Sequence, residues 1–332
     1  MPVQAQITTI RPGAAIEGGR ITIEGVGFDL DGPRLPDVWL GDDRARVVYA
    51  STTRLDVVVP PRTESGPTVV RIDGVGGPGA FVNLATPCAT GLHQVDNPVF
   101  DSDGNLYVTY SGSRGQEVPV SIFRVRPNGM RETFSSGIVN PTSMAIDPEG
   151  RLFVSSRFEG IVYRVSDDGS VTPFASDLGV ACGLAFAPDG TLFVGDRSGT
   201  ILKVDHAGHA DAFASLPASV AAFHLALATD GALYVTAPTL STYDAIYRIA
   251  PDGTVEALPE RFGRPQGLGF DAQGALCVVE ALAGSSGLYR LSSTGAPELV
   301  LAGPNLIGVA FDPRGGFVVC SNETAYRLPR SS

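Results

Sequence analysis

Lysine occurs once in the 332 residues, at Lys203, and tryptophan once, with three methionines and four cysteines. One lysine leaves Schiff-base chemistry a single candidate. Cys88, Cys182, Cys277 and Cys320 show no C-x-x-C spacing and no histidines gathered near them, which argues against a structural zinc site. No stretch approaches the roughly 20 uncharged apolar residues of a membrane helix. The start, Met1 to Gln6, has neither a basic n-region nor an apolar h-region. No signal peptide, transmembrane segment or membrane insertion is therefore expected, and a cytoplasmic or a processed secreted location both stay open. Basic charge is scarce too: 24 Lys and Arg against 35 Asp and Glu give a net charge of −11. That balance repels nucleic acid and anionic lipid, so no nucleic-acid partner is expected. The chain also lacks a G-x-S-x-G elbow, a P-loop, H-E-x-x-H and a dinucleotide fingerprint, which removes serine-triad, nucleotide and zincin chemistry from the front rank.

What the chain has is glycine, 40 residues, and proline, 25, suited to many short strands joined by tight turns. From Val99 onward one phrase recurs: PVFDSDGNLYV, SMAIDPEGRLFV, GLAFAPDGTLFV, HLALATDGALYV, GLGFDAQGALCV and GVAFDPRGGFVV. The turn glycines fall at 104, 150, 190, 231, 274 and 315, a period of about 42 residues and propeller spacing. A third strand follows each phrase, then a second turn such as Asp168-Gly169 or Thr294-Gly295, then a fourth strand. The sixth unit stops after its third strand. Segment 86–100, TPCATGLHQVDNPVF, aligns without a gap on 172–186, TPFASDLGVACGLAF, so residues 86–90 should complete blade 6 by pairing with Ala325 to Leu328.

Before residue 86 the period vanishes and about seven short strands remain, the pattern of a small β-sandwich. The expected fold is all-β: an immunoglobulin-like sandwich over 1–85 and a six-bladed β-propeller over 86–332, closed by an N-terminal strand. An outer strand entering at the bottom face would put the sandwich at the bottom rim, away from the pocket.

In such a meander the starts of the inner strands and the ends of the second strands ring one face, the top. These positions are Asp96, Thr142, Cys182, Phe223, Gln266 and Ile307, and Tyr110, Ser156, Asp196, Ala237, Glu280 and Ser321. Asp96, Asp196 and Glu280 are the catalytic candidates, since three carboxylates at one mouth need a cation, a shared proton or an arginine. Arg157 and Arg197, one residue beyond the second strands, stand near. With Tyr110, Arg157, Cys182, His224 and Gln266 they make a pocket for a small molecule. Carboxylates suit Ca²⁺, Mg²⁺ or Mn²⁺. His224 replaces a repeat glycine and either packs beside Phe223 or serves as a base.

The N-terminal segment resembles an IPT/TIG domain through Ile7, Ile10, Pro12, Gly18-Gly19, ITIEGVGF ending at Phe28, Leu40-Gly41 and VVVPP at 57–61. That resemblance implies a spacer or a protein-interaction module. The repeat phrase, above all GLAFAPDGTLFV at 183–194, resembles the six-bladed propellers of the NHL and SMP-30/gluconolactonase group. The resemblance implies a lactonase-like hydrolase whose divalent cation would be held at Asp96, with Cys182 and Phe223 at the group's other ligand positions. The alternative is a non-catalytic recognition propeller.

Overall fold

The computed structural model describes residues 4–30, 35–77, 79–282, 284–292 and 296–328. The turn at Thr294-Gly295 lies outside these. Every regular element among them is a β-strand. Five four-stranded antiparallel sheets follow the repeat, over residues 99–135, 141–175, 181–215, 224–262, and 306–328 together with 86–90. In the last of these Thr86–Thr90 pairs antiparallel with Thr324–Leu328, Thr86 opposite Arg327 and Thr90 opposite Thr324. Residues 265–302 form a further four-stranded meander of the same order. It does not stand apart, as the repeat leads one to expect, because Ala15 pairs with Ala302 and Ala14–Ala15 pairs with Asn83–Leu84. A twelve-stranded sheet therefore runs from the meander into the N-terminal strands. Together the meanders make an all-β propeller.

The turn glycines are needed for their backbone. Gly169 has φ +81°, and a Cβ there would stand 1.9 Å from the Phe134 carbonyl oxygen of the preceding sheet. Apolar side chains then fill the space between successive meanders. One such cluster joins Leu184, Leu192 and Val194 to Phe153 and Val162, burial that drives assembly.

In the N-terminal module Arg20–Val26 alternates exposed and buried residues along its length, so Ile21 and Ile23 meet Leu55, Val57, Val70 and Val82 in one core closed by Phe28. Among the described residues of the module the one buried charge is Asp56, 1% exposed. Arg54 donates to it at 2.8 and 3.0 Å, Arg20 at 2.5 Å and Thr22 at 2.9 Å. Burial pushes this carboxyl up, but the bonds from Arg54, Arg20 and Thr22 outweigh it and hold the group below its ordinary value. Asp56→Asn should cost about 1–3 kcal/mol at neutral pH. Because the folded pKa is the lower one, the stabilisation is complete above the unfolded value of about 3.9 and is lost as pH falls through the folded pKa. Urea unfolding of both proteins from pH 7 to pH 2 checks this: the gap should stay constant to about pH 4 and close below it.

The module does not hang at the bottom rim. Ile16 N donates to Ala302 O at 2.9 Å, Ile16 packs in the cluster of Leu306 and Val309, and Tyr326 Oη donates to Glu17 at 3.3 Å. It thus seats against residues 302–306, which lead into the inner strand Leu306–Phe311. The bottom-rim expectation treated outer strands as upright posts, but strand twist carries their ends sideways toward the next meander.

Candidate functional site

Two local features build the mouth of the propeller. The first is a β-bulge at the start of four inner strands, where the register shifts between Pro141 and Met144, Ala181 and Gly183, Pro265 and Leu268, and Leu306 and Gly308. A bulge re-aims the extra residue, and Cys182, Gln266 and Ile307 line a central cavity of about 370 Å³. The second is the turn just beyond each second strand, which sends Arg157, Arg197 and Ala281 into the same cavity. Connectors between meanders add Val180, Val220, Arg264 and Asn305.

None of Asp96, Asp196 and Glu280 lines this cavity. Asp196 Oδ1 accepts from Val180 N at 2.8 Å, and its other oxygen from the Ser198 hydroxyl. Glu280 Oε2 accepts from Gly263 N at 3.0 Å, and at the equivalent place Ser156 Oγ donates to Val139 O at 2.5 Å. These strand ends staple each meander to the connector before it, and the next residue along faces the channel. Successive side chains alternate in direction, so a one-residue error in register exchanges the two roles.

Asp96 is 1% exposed and lies behind the mouth. Its Oδ1 accepts from His224 Nδ1 and, at 2.6 Å, from Asn97 N. His224 is fully buried, and its Nε2 is 3.2 Å from Gln266 Oε1. The imidazole therefore bridges the Asp96 carboxyl and Gln266, a residue that lines the cavity. His224 is thus held by polar contacts on both ring nitrogens rather than packed as apolar filling, and it does not itself line the cavity. Gly267 and Gly308 make room for Asn97, whose Oδ1 would stand 2.1 Å from a Cβ at Gly267. That is why glycine stands at these two positions.

Arg157 is half-buried, and desolvation together with the guanidinium groups of Arg197 and Arg114 pushes its pKa down from the ordinary value. Among the described residues none of Arg157, Arg197 and Arg264 forms an ion pair. Arg197 is braced by Nε donating to Ser219 O at 3.2 Å. Burial, and then the charge of Asp96, push the Cys182 thiol up to about 12, so it is a neutral wall and no nucleophile. Tyr110 stays outside the cavity lining, its ring edge-on to His93 at 6.0 Å. Burial and then Arg157 lower the His93 pKa.

A divalent cation does not fit this lining. Three guanidinium groups repel it, and among the described residues no group of three or more His, Cys, Asp or Glu side chains could hold a metal ion. Asp96, where the cation was expected, lies behind the lining and its Oδ1 already meets His224 and Asn97. Arg157, Cys182 and Gln266, expected at the mouth, all line the cavity, and so does Arg264, which the sequence pattern did not single out. A signal was present: Arg264 directly precedes an inner strand, where Asn140 and Asn305 stand in other meanders. All three adopt positive φ, 57°, 49° and 54°. Asparagine tolerates that conformation, whereas arginine has no such preference.

Fold and mouth together define a β-propeller carrying an N-terminal β-module. Residues 5–86 match the IPT/TIG domain family model. Among curated proteins none matches the chain in sequence. Solved structures share the fold. An auxiliary nutrient binding protein from Bacteroides ovatus is 14% identical with a TM-score of 0.57, over 100% of this chain and 99% of that one. A putative gluconolactonase is 18% identical at TM-score 0.59, covering 74% and 92%. Virginiamycin B lyase from Staphylococcus aureus is 17% identical at TM-score 0.51, covering 73% and 87%. At such identities the likeness shows the fold alone.

Proposed function

We propose that the protein is a receptor for a small anionic molecule, bound at the mouth of a six-bladed propeller. Residues 265–302 would be the fifth blade and 86–90 the closing strand of the sixth, with the IPT/TIG domain up to residue 85 as spacer or second contact. One observation carries this reading: three arginines from separate parts of the ring, Arg157, Arg197 and Arg264, converge on a cavity that no carboxylate lines among the described residues. Guanidinium groups match carboxylate and phosphate in pairs of hydrogen bonds. A volume of about 370 Å³ falls among small-molecule pockets, which span roughly 300–1,000 Å³.

Calorimetric titration with small carboxylates and phosphate esters, beside their amide and alcohol counterparts, tests the reading. The anions should bind and the neutral molecules should not. Arg157→Ala should weaken binding roughly 10- to 100-fold, the worth of a charged hydrogen bond. Arg264→Asn should weaken it similarly while leaving stability unchanged or raised by up to about 1 kcal/mol, because asparagine suits the positive φ. Equal binding of neutral molecules, or arginine variants that bind as well as the parent, would overturn it.

A lactonase-like hydrolase is the second reading, favoured by the buried Asp96–His224–Gln266 chain that ends at the cavity. Turnover of lactones or esters, insensitive to chelator and lost in Arg157→Ala, would support that reading over plain recognition.

A further inference from the structure

If the arginine mouth takes an anion, its surroundings specify which kind. Val180, Val220 and Leu282 line the same cavity and stand 38%, 39% and 62% exposed. Single exposed apolar side chains need no explanation, but three on one small rim form a patch, and patches in pockets mark contact with apolar ligand surface. Backbone hydrogen bonds hold each beside a cation. Arg197 N donates to Val180 O at 3.1 Å, and Ser219 N, next to Val220, donates to Arg197 O at 3.2 Å. Leu282 N donates to Gly263 O at 3.1 Å, next to Arg264. Cation and apolar group are thus fixed side by side at two places on the mouth. A wholly hydrophilic anion would engage the guanidinium groups and leave this rim in water.

Resting on the anion reading, we infer that the ligand is an anionic amphiphile: one carboxylate or phosphate head on Arg157, Arg197 and Arg264, and an apolar body of several carbons against Val180, Val220 and Leu282. The head supplies the ion pair that these guanidinium groups lack among the described residues. The body covers the exposed rim. The size of the cavity limits the molecule to a small one and leaves no room for a folded partner.

Titration of the full chain with butyrate, hexanoate and octanoate reads the body, and 1-octanol and octyl phosphate read the head. Affinity should rise about fourfold for each added methylene that the rim covers, from roughly 0.8 kcal/mol per buried methylene. Octanol should bind far more weakly than octanoate. A preference for octanoate over octyl phosphate, or the reverse, decides the head. In Leu282→Ser, which removes an exposed side chain and spares the core, the advantage of octanoate over butyrate should shrink. Anions that bind equally whatever their length overturn the amphiphile and leave the anion receptor standing. Octanol binding as tightly as octanoate removes the anionic head. Failure of every anion overturns both readings.

Discussion

His224→Ala should destabilise the protein by about 3–5 kcal/mol, the cost of leaving a buried charge without its partner. The Asp96 carboxylate accepts from the imidazole and from Asn97 N, with Gln94 Nε2 donating at 2.7 Å to the Asp96 carbonyl. Removing the ring leaves a carboxylate 1% exposed with one backbone donor, empties a fully buried site, and takes the Nε2 contact from Gln266. Neutralising the other partner is not innocuous either. A carboxylate standing at an open mouth could be exchanged for an amide with folding intact, but this one is inside, and Asp96→Asn should lose part of the same stabilisation. The double variant Asp96→Ala/His224→Ala should then cost less than the sum of the single alanine variants, by roughly 0.5–3 kcal/mol. Urea denaturation gives all the midpoints needed for the cycle. A single variant within about 1 kcal/mol of the parent would show that the pair carries little, since surface changes fall in that range.

Truncation after Asn322 should abolish cooperative unfolding altogether. The lost strand, Thr324–Leu328, lies between Phe317–Ser321 and Thr86–Thr90 and bonds to both. Its Ala325 and Tyr326 are buried, and Glu323 O accepts from Leu92 N at 3.0 Å. Without it Thr86–Thr90 has no partner and two cores open at once, those that join Ala325 to Leu106 and Tyr326 to Leu288. The loss should exceed the roughly 5–15 kcal/mol that holds such domains together. Scanning calorimetry with a sharp parental transition and none in the truncated chain is the expected result. A second variant, Ala325→Arg, tests the same place with the chain intact and should lower the midpoint by many degrees. A truncated chain that still melts sharply near the parental temperature would mean that Thr86–Thr90 is dispensable.

The repeat phrase was legible because turn glycines and apolar alternation obey strict local geometry, and it located the first three strands of each unit to within a few residues. The mouth was legible in outline. Cys182 and Gln266 line it because a bulge lifts them inward, yet a bulge leaves no composition of its own in the sequence. Ignoring it shifted the second-strand set by one place, so Asp196 and Glu280 were read as facing the channel where Arg197 and Ala281 do. The sign of the pocket changed with that shift. Asp96 was read as a residue of the mouth, and its partner, His224, lies 128 residues away in another meander, so no local pattern shows the pairing. The fusion of 265–302 with the N-terminal strands rests on the two-residue pairing of Ala14–Ala15, too short to carry a pattern.

That seam also sets a bearing. Tandem modules joined by a linker tumble independently, so what one holds says nothing about where the other points. Here the IPT/TIG match ends at Thr86, the first residue of a propeller strand, Ala15 is locked to Ala302, and Asn305, three residues on, is already at the lip of the cavity. Any body gripping the N-terminal module would therefore hold the mouth at one heading, as a mount holds a lens, and the direction from which ligand arrives would be decided by the anchorage.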